Sequence, residues 1–459
     1  MNHCIDHHAA TPSVTRTLAQ ALNAGCACPT LDPLLLRTQL EFHPALRGLA
    51  QSMDQSHPKL FSRTQVFLSE AERDTIAATV AAIERVALLP GYQKRALAQA
   101  DPIAQLAWGP KSMFMGYDFH VGAQGPKLIE INTNAGGAFL NAALACSHQQ
   151  CCETQVLGGQ EPSKPIDPNQ PFLDMFQAEW RSQRGEQPLH SVVIVDDSPM
   201  TQYLAPEFEL CRQMLTQHGI WAQVADPSEL AWRDGRLWHQ ATAVDMVYNR
   251  LTDFYLDQAR HEALREAYLG GAVVLSPHPR AHALLAEKSN LVALSQTDLL
   301  RQWGATEADR ALLSQVVPRA LRVTPEGAEA LWAARRQYFF KPVCGYGSKA
   351  AYRGDKLTRR VWSDILAGNF IAQELVAPGQ RRIHIQGDHQ HLKFDIRAYS
   401  HAGQVQLLAA RTYAGQTTNF QTPGGGFAPV VVMPHQAPSA LPGLTEWRAC
   451  APAACAVLA

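Results

Sequence analysis

Leu128-Ile-Glu-Ile-Asn-Thr-Asn-Ala-Gly-Gly137 reads as a short apolar strand that runs into a tight glycine turn. Alternation along a strand puts Glu130 and Asn132 on one face. A carboxylate and an amide oxygen side by side make a hard-oxygen pair for Mg2+. The competing reading is an edge strand with solvated polar residues, which the otherwise apolar run disfavours. Just upstream, Met113 to Val121 reads as a second strand, joined to the first through the turn Gly122-Ala-Gln-Gly-Pro126.

Four segments further along carry chemistry of the same kind. In Phe339-Phe-Lys-Pro-Val-Cys-Gly-Tyr-Gly-Ser348 a strand delivers Lys341 into a loop holding Gly345, Gly347 and Ser348. Glycines there let backbone N–H groups approach phosphate oxygens, and the lysine adds a point charge. The order is neither a dinucleotide fingerprint nor a Walker loop, and alone it fits a plain glycine hairpin as well. Phe370-Ile-Ala-Gln-Glu-Leu-Val376 is an apolar strand with Gln373 and Glu374 inside it. Phe394-Asp-Ile-Arg-Ala-Tyr399 sets Asp395 and Arg397 on one strand face, which suits a metal-bound phosphate or, equally, a surface ion pair. Finally, Arg411 is followed by Asn419 and the triple glycine 424–426.

Jointly these segments resemble the ATP-grasp enzymes, among them glutathione synthetases and peptide-tail ligases. Lys288, in Leu284-Leu-Ala-Glu-Lys288, resembles the first nucleotide lysine of that family, and Lys341 with its glycine loop the second. Gln373-Glu-Leu-Val376 resembles the hinge strand that holds adenine. The family's closing Gly-x-Asp and Glu-x-Asn strands are missing after Gly426 and sit upstream instead, as Gly116-Tyr-Asp118 and Glu130-Ile-Asn132. The order resembles the circularly permuted ATP-grasp group, which includes glutathionylspermidine-synthase-like proteins.

The resemblance implies an α/β fold with a Rossmann-like pre-ATP-grasp domain and a helical N-terminal region. It implies an ATP- and Mg2+-dependent carboxylate–amine ligase, with Mn2+ as a substitute ion. Asp395, Glu130 and Asn132 would hold the metal; Lys288, Lys341, Gly345, Gly347, Ser348, Gln373, Glu374, Leu375 and Val376 would bind nucleotide; Arg411, Arg397 and Asn419 would be catalytic. The substrates would be a small-molecule or peptide carboxylate and an amine. Alternatives are a small-molecule kinase of the same fold and a nucleotide-binding regulatory protein without turnover.

Composition sets the frame. The 459 residues are 46% hydrophobic and 18% charged, enough for several cores and too apolar for wholesale disorder. With 40 Lys and Arg against 41 Asp and Glu there is no basic excess to recruit nucleic acid or an anionic membrane. The polar, His-rich start lacks the pattern of a signal peptide, no apolar run spans a bilayer, and ten irregularly spaced cysteines fit a reducing cytoplasm. A homo-oligomer is compatible with all of this.

The expected organisation is a mostly helical region 1–110, with a capping box at Ser69 and Glu72 and a helix closed by Pro90-Gly91. The permuted core segment is 111–150, then come a linker with a short helix at 151–188 and an α/β domain with a largely parallel sheet at 189–275. The nucleotide-binding subdomain is 276–376, the catalytic core 377–435 and a tail 436–459. His120, His278, His282, His384 and His391 read as structural histidines, and Arg250 as either a substrate-carboxylate ligand or an ion-pair partner.

Overall fold

The computed structural model describes residues 17–25, 38, 41, 57–62, 64–145, 169–345, 350–385 and 388–433. Gly347, Ser348, the 436–459 tail and Cys26, Cys28, Cys151 and Cys152 lie outside them.

The central element is a seven-stranded sheet. Its order is Val66–Ser69, Gly426–Met433, Gln404–Tyr413, Asp388–His401, Met115–Gly122 and Gly125–Asn132, with Gly379–Ile385 also paired to Asp388–His401. All neighbours are antiparallel except Val66–Ser69, which runs parallel to Gly426–Met433. The two strands read around Glu130 thus join the far end of the chain as direct neighbours of the Asp395 strand.

One face of this sheet is covered by the helix Glu70–Ala87, whose Ile76, Val80 and Ile83 pack with Tyr117, Phe119 and Ile396. Its start is the expected capping box: Ser69 Oγ accepts from Glu72 N, and Glu72 Oε2 accepts from Ser69 N at 2.8 Å. Pro90-Gly91 does not merely close that helix. Pro90 opens a second one, Pro90–Leu97, where its missing N–H costs nothing.

Ser191–Val195, Trp221–Ala225, Met246–Asn249 and Val274–Ser276 form a four-stranded, wholly parallel sheet, with Ala205–Gln217 crossing between the first two. Ala320–Arg322, Phe370–Glu374, Tyr338–Pro342 and Tyr352–Arg353 make a separate antiparallel sheet over a small core of Phe340, Trp362 and Ile365. In the segment expected to be a linker, Gln170–Arg184 is a 15-residue helix that buries Phe172, Phe176 and Trp180. The region 282–302 begins as a π-helical turn, His282–Ala286, before two short helices. No helix among the described residues is long and apolar enough to cross a membrane.

Candidate active site

Strand register assembles the site. Asp395 lies opposite Arg411, Arg397 opposite Asp118, and Asp118 opposite Glu130. Cross-strand partners point to the same face, so four strands contribute one row of charges. Asn132, two residues beyond Glu130, joins the same face.

The row is tightly connected. Arg397 grips Asp118 with two parallel hydrogen bonds, Nε to Oδ1 and Nη2 to Oδ2, both 2.7 Å. Arg411 bridges two acids: Nη2 donates to Asp118 Oδ2 at 2.8 Å and Nε to Asp395 Oδ1 at 2.7 Å. Thr418 Oγ1 donates to the other oxygen of Asp395. The Asn132 amide nitrogen reaches Asp118 Oδ2 at 3.2 Å and Glu130 Oε1 at 3.4 Å. Burial alone would raise the Asp118 carboxyl, but the charges of Arg397 and Arg411 outweigh it and hold it well below the ordinary carboxylate range. Burial likewise opposes ionisation of Glu130, and Lys288 and Lys341 more than offset it.

The opposite wall comes from the smaller antiparallel sheet. Lys341 is buried and donates to Ile129 O and to Gln373 Oε1, each at 2.8 Å. Gln373 Nε2 donates in turn to Leu128 O at 3.3 Å. Gln373 therefore fixes Lys341 against the Glu130 strand. Desolvation pushes the Lys341 ammonium down to about 8, with Glu130 pulling back up. Lys288 Nζ donates to Gly345 O at 2.7 Å.

Between the walls lies a cleft open to solvent, with a cavity of about 110 Å³. Asp118, Glu130, Asn132, Asp395 and Arg411 line one side, Lys288, Lys341, Gly345 and Gln373 the other, and Glu374, Leu375 and Val376 one end. The structure thus brings together most residues singled out in the sequence. Arg397 sits behind Asp118 rather than on the cleft wall. Asn419 is also off the wall: its amide holds the carbonyls of Ala414 and Thr417 and receives Gln421 N and Thr422 Oγ1. It shapes the loop that presents Gln416, Thr417 and Thr418 to the cleft.

Sequence reasoning gave Asp118 no role, although it forms the hub of the row; the signal was its place in Gly116-Tyr-Asp118. His120 lines the cleft, with Nδ1 2.8 Å from Val376 O, and burial lowers its pKa. His282 is buried, stacks on Phe254 at 3.8 Å and is pushed down to about 3, as a structural histidine would be. Arg250 is buried and donates to Asn134 O at 2.9 Å, so it braces the loop after Asn132. The buried Glu207 accepts from Gly137 N at 2.6 Å in the same loop. Among the described residues no three Asp, Glu, His or Cys side chains converge as a ready-made metal site.

No family model matches the chain, and no curated protein matches it. Among solved structures, a glutathione synthetase-like effector from Globodera pallida, in its apo form, matches 88% of this chain and 98% of its own at 11% identity, with a TM-score of 0.53. A gamma-glutamylcysteine synthetase-like protein from Methylobacillus flagellatus covers 78% of this chain and 86% of its own at 10% identity and a TM-score of 0.44. The ATP-grasp ligase PsnB, complexed with a minimal precursor, covers 52% of this chain and 89% of its own at 15% identity and a TM-score of 0.28. At the last two scores the overlap is partial and implies nothing further. The first likeness is one of fold alone: the chain shares the fold of that glutathione synthetase-like effector.

Proposed function

We propose that the protein is an ATP-dependent ligase joining a carboxylate to an amine, on a small molecule or a peptide, with Mg2+ or Mn2+ as the accompanying cation. One observation carries the reading. A single sheet face collects acids and arginines from strands as far as 293 residues apart in sequence, and two lysines face it across a cleft. Three cationic groups, Lys288, Lys341 and Arg411, line the cleft and suit a polyphosphate, while Asp118, Glu130, Glu374 and Asp395 line it as acids and suit an accompanying cation.

The donor set also fits a hard divalent cation. Glu130 has one long contact, from Asn132, and so keeps acceptor capacity toward the cleft. Glu130, Asn132 and Asp395 would hold the ion, with Asp118 as the adjoining acid. When bound, ATP supplies the phosphoryl group that activates a carboxylate for amine attack, and the cation neutralises phosphate charge.

The chain's own residues position and neutralise. Lys288 and Lys341 would contact phosphates, the backbone of Glu374–Val376 would meet the base, and Gly345, with Gly347 and Ser348 beyond it in sequence, would supply N–H groups to phosphate oxygens. Arg411 stabilises negative charge developing at the acyl centre, while Arg397 keeps Asp118 ionised and in place. We read the pairing of the Asp118 and Glu130 strands with the Asp395 strand as a circular permutation of the catalytic sheet. The parallel sheet is then the pre-ATP-grasp domain, and it braces the 134–137 loop through Arg250 and Glu207.

The test is ADP release across a panel of carboxylates and amines, with product mass measured. ADP formation that requires both substrates and yields an amide supports the ligase. ADP formed with one substrate and no amine, with a stable phosphorylated product, makes the protein a kinase and overturns the proposal.

A further inference from the structure

Every carboxylate oxygen of the two aspartates in the row already has a donor. Asp118 Oδ1 takes Arg397 Nε, and Oδ2 takes Arg397 Nη2, Arg411 Nη2 and Asn132 Nδ2. Asp395 Oδ1 takes Arg411 Nε, and Oδ2 takes Thr418 Oγ1. Glu130, with its 3.4 Å contact from Asn132, is the exception. One open carboxylate and one amide make a poor site for a divalent ion, whose affinity follows the number of charged ligands. Arg411 stands where a cation shared by Asp118 and Asp395 would be.

We infer that Arg411 is an exchangeable internal counter-cation that excludes free divalent metal and admits it only as its nucleotide complex. The inference rests on the ligase reading above. The two arginines differ in a way that decides which one moves. Arg397 is locked to Asp118 by two parallel bonds and lies off the cleft wall; Arg411 reaches each acid with a single bond and lines the cleft. Withdrawing a buried guanidinium from two carboxylates is unfavourable unless another anion receives it. A polyphosphate in the cleft is such an anion, and a guanidinium fits phosphate oxygens in a forked geometry. Arg411 then passes from acids to phosphate, and Asp395 Oδ1, which has no other donor, becomes available at the moment the metal arrives, while Asp118 stays held by Arg397. The site so distinguishes metal–nucleotide from metal alone, which finds only the Glu130 carboxylate open.

The test uses the full chain and Mn2+, with free Mn2+ read by electron paramagnetic resonance, alone and with a non-hydrolysable ATP analogue. The wild type should take up Mn2+ with the analogue and little without it. Arg411→Gln should bind Mn2+ alone at least about tenfold more tightly than the wild type, because Asp395 Oδ1 is released beside the open Glu130. Arg411→Lys, which keeps the charge but cannot span both acids, should show a smaller gain; it also serves if the glutamine variant does not fold. Lys288→Gln removes the same charge without freeing any carboxylate and should change Mn2+ affinity little. Equal gains in the Lys288 and Arg411 variants mean simple charge repulsion and overturn the inference, as does tight Mn2+ binding by the wild type alone. If the wild type binds Mn2+ with the analogue but neither Arg411 variant gains affinity for Mn2+ alone, the exchange is refuted and the ligase reading stands. If the wild type does not bind the metal–nucleotide complex at all, the ligase reading falls as well.

Discussion

Replacing Lys341 with methionine should change how stability depends on pH, in a direction and by an amount that follow from its surroundings. Lys341 is buried and hydrogen-bonded only to neutral oxygens, those of Ile129 and Gln373, at 2.8 Å each. Desolvation lowers its pKa from the ordinary 10.5 to about 8. Between those values the unfolded chain holds the proton more tightly than the folded one. Stability from this group is therefore lowest below pH 8 and rises as pH climbs toward 10.5. At 1.36 kcal/mol per pH unit the full change is about 3 kcal/mol. Lys341→Met lacks the titration. Urea unfolding of both proteins from pH 7 to 10.5, followed by circular dichroism, gives the difference in stability at each pH. Tyrosines and other groups titrating in that window cancel in the difference. The wild type should gain about 3 kcal/mol on the variant across the window, most of it by pH 10. A difference flat to within about 0.5 kcal/mol would mean the ammonium is as well solvated in the folded protein as outside it, and the buried lysine at the cleft wall would be wrong.

Three further outcomes are expected. Asp118→Asn removes the counter-charge of two buried arginines and should cost roughly 3–5 kcal/mol in chemical unfolding; a loss below about 1 kcal/mol would show that the row is not closed to water. Gly137 has φ +97° and a Cβ there would sit 2.3 Å from Phe427 Cζ, whereas Gly125 at φ +76° has nothing within 4 Å. Gly137→Ala should therefore lose more than about 2 kcal/mol and Gly125→Ala only about 1 kcal/mol, and equal losses would contradict the packing of that loop on Phe427. At pH 8 about half of the Lys341 side chains lack their proton, so nucleotide binding should take up about half a proton, seen as a buffer-dependent enthalpy in calorimetry; no uptake would separate Lys341 from the phosphates.

Much of the site was legible because strand alternation is a local property. Asp395 with Arg397, and Glu130 with Asn132, were each placed on one face from spacing alone, and both pairs share a face in the structure. Register between distant strands is not local. Nothing in the sequence aligned Asp118 with Arg397, so the hub of the row went unassigned. Asn419 stood out as a polar residue among glycines, yet it satisfies its own loop's backbone, a role that composition cannot separate from catalysis. Gln373 reads from its strand as a nucleotide-binding residue; that it also ties Lys341 to Leu128 O, 245 residues upstream, depends on a distant strand and was not legible.

The fold was read with similar limits. Gly426–Met433 escaped notice as a sheet strand because Pro429 argues against a paired interior. The structure accommodates it: the parallel neighbour Val66–Ser69 pairs only from Val430 onward, so the missing N–H interrupts no bond on that side. Val66–Ser69 itself is four residues long and leads straight into a helix start, too short to show an alternating pattern.

The central claim is that residues far apart in the chain serve one metal–nucleotide site. Titration calorimetry of Mg·ATP against the wild type, Glu130→Ala and Asp395→Ala tests it most directly. The account predicts Mg-dependent binding to the wild type and a similar, large loss in both variants. Binding that survives Glu130→Ala while Asp395→Ala abolishes it would make the upstream strand structural, and the shared site would be refuted.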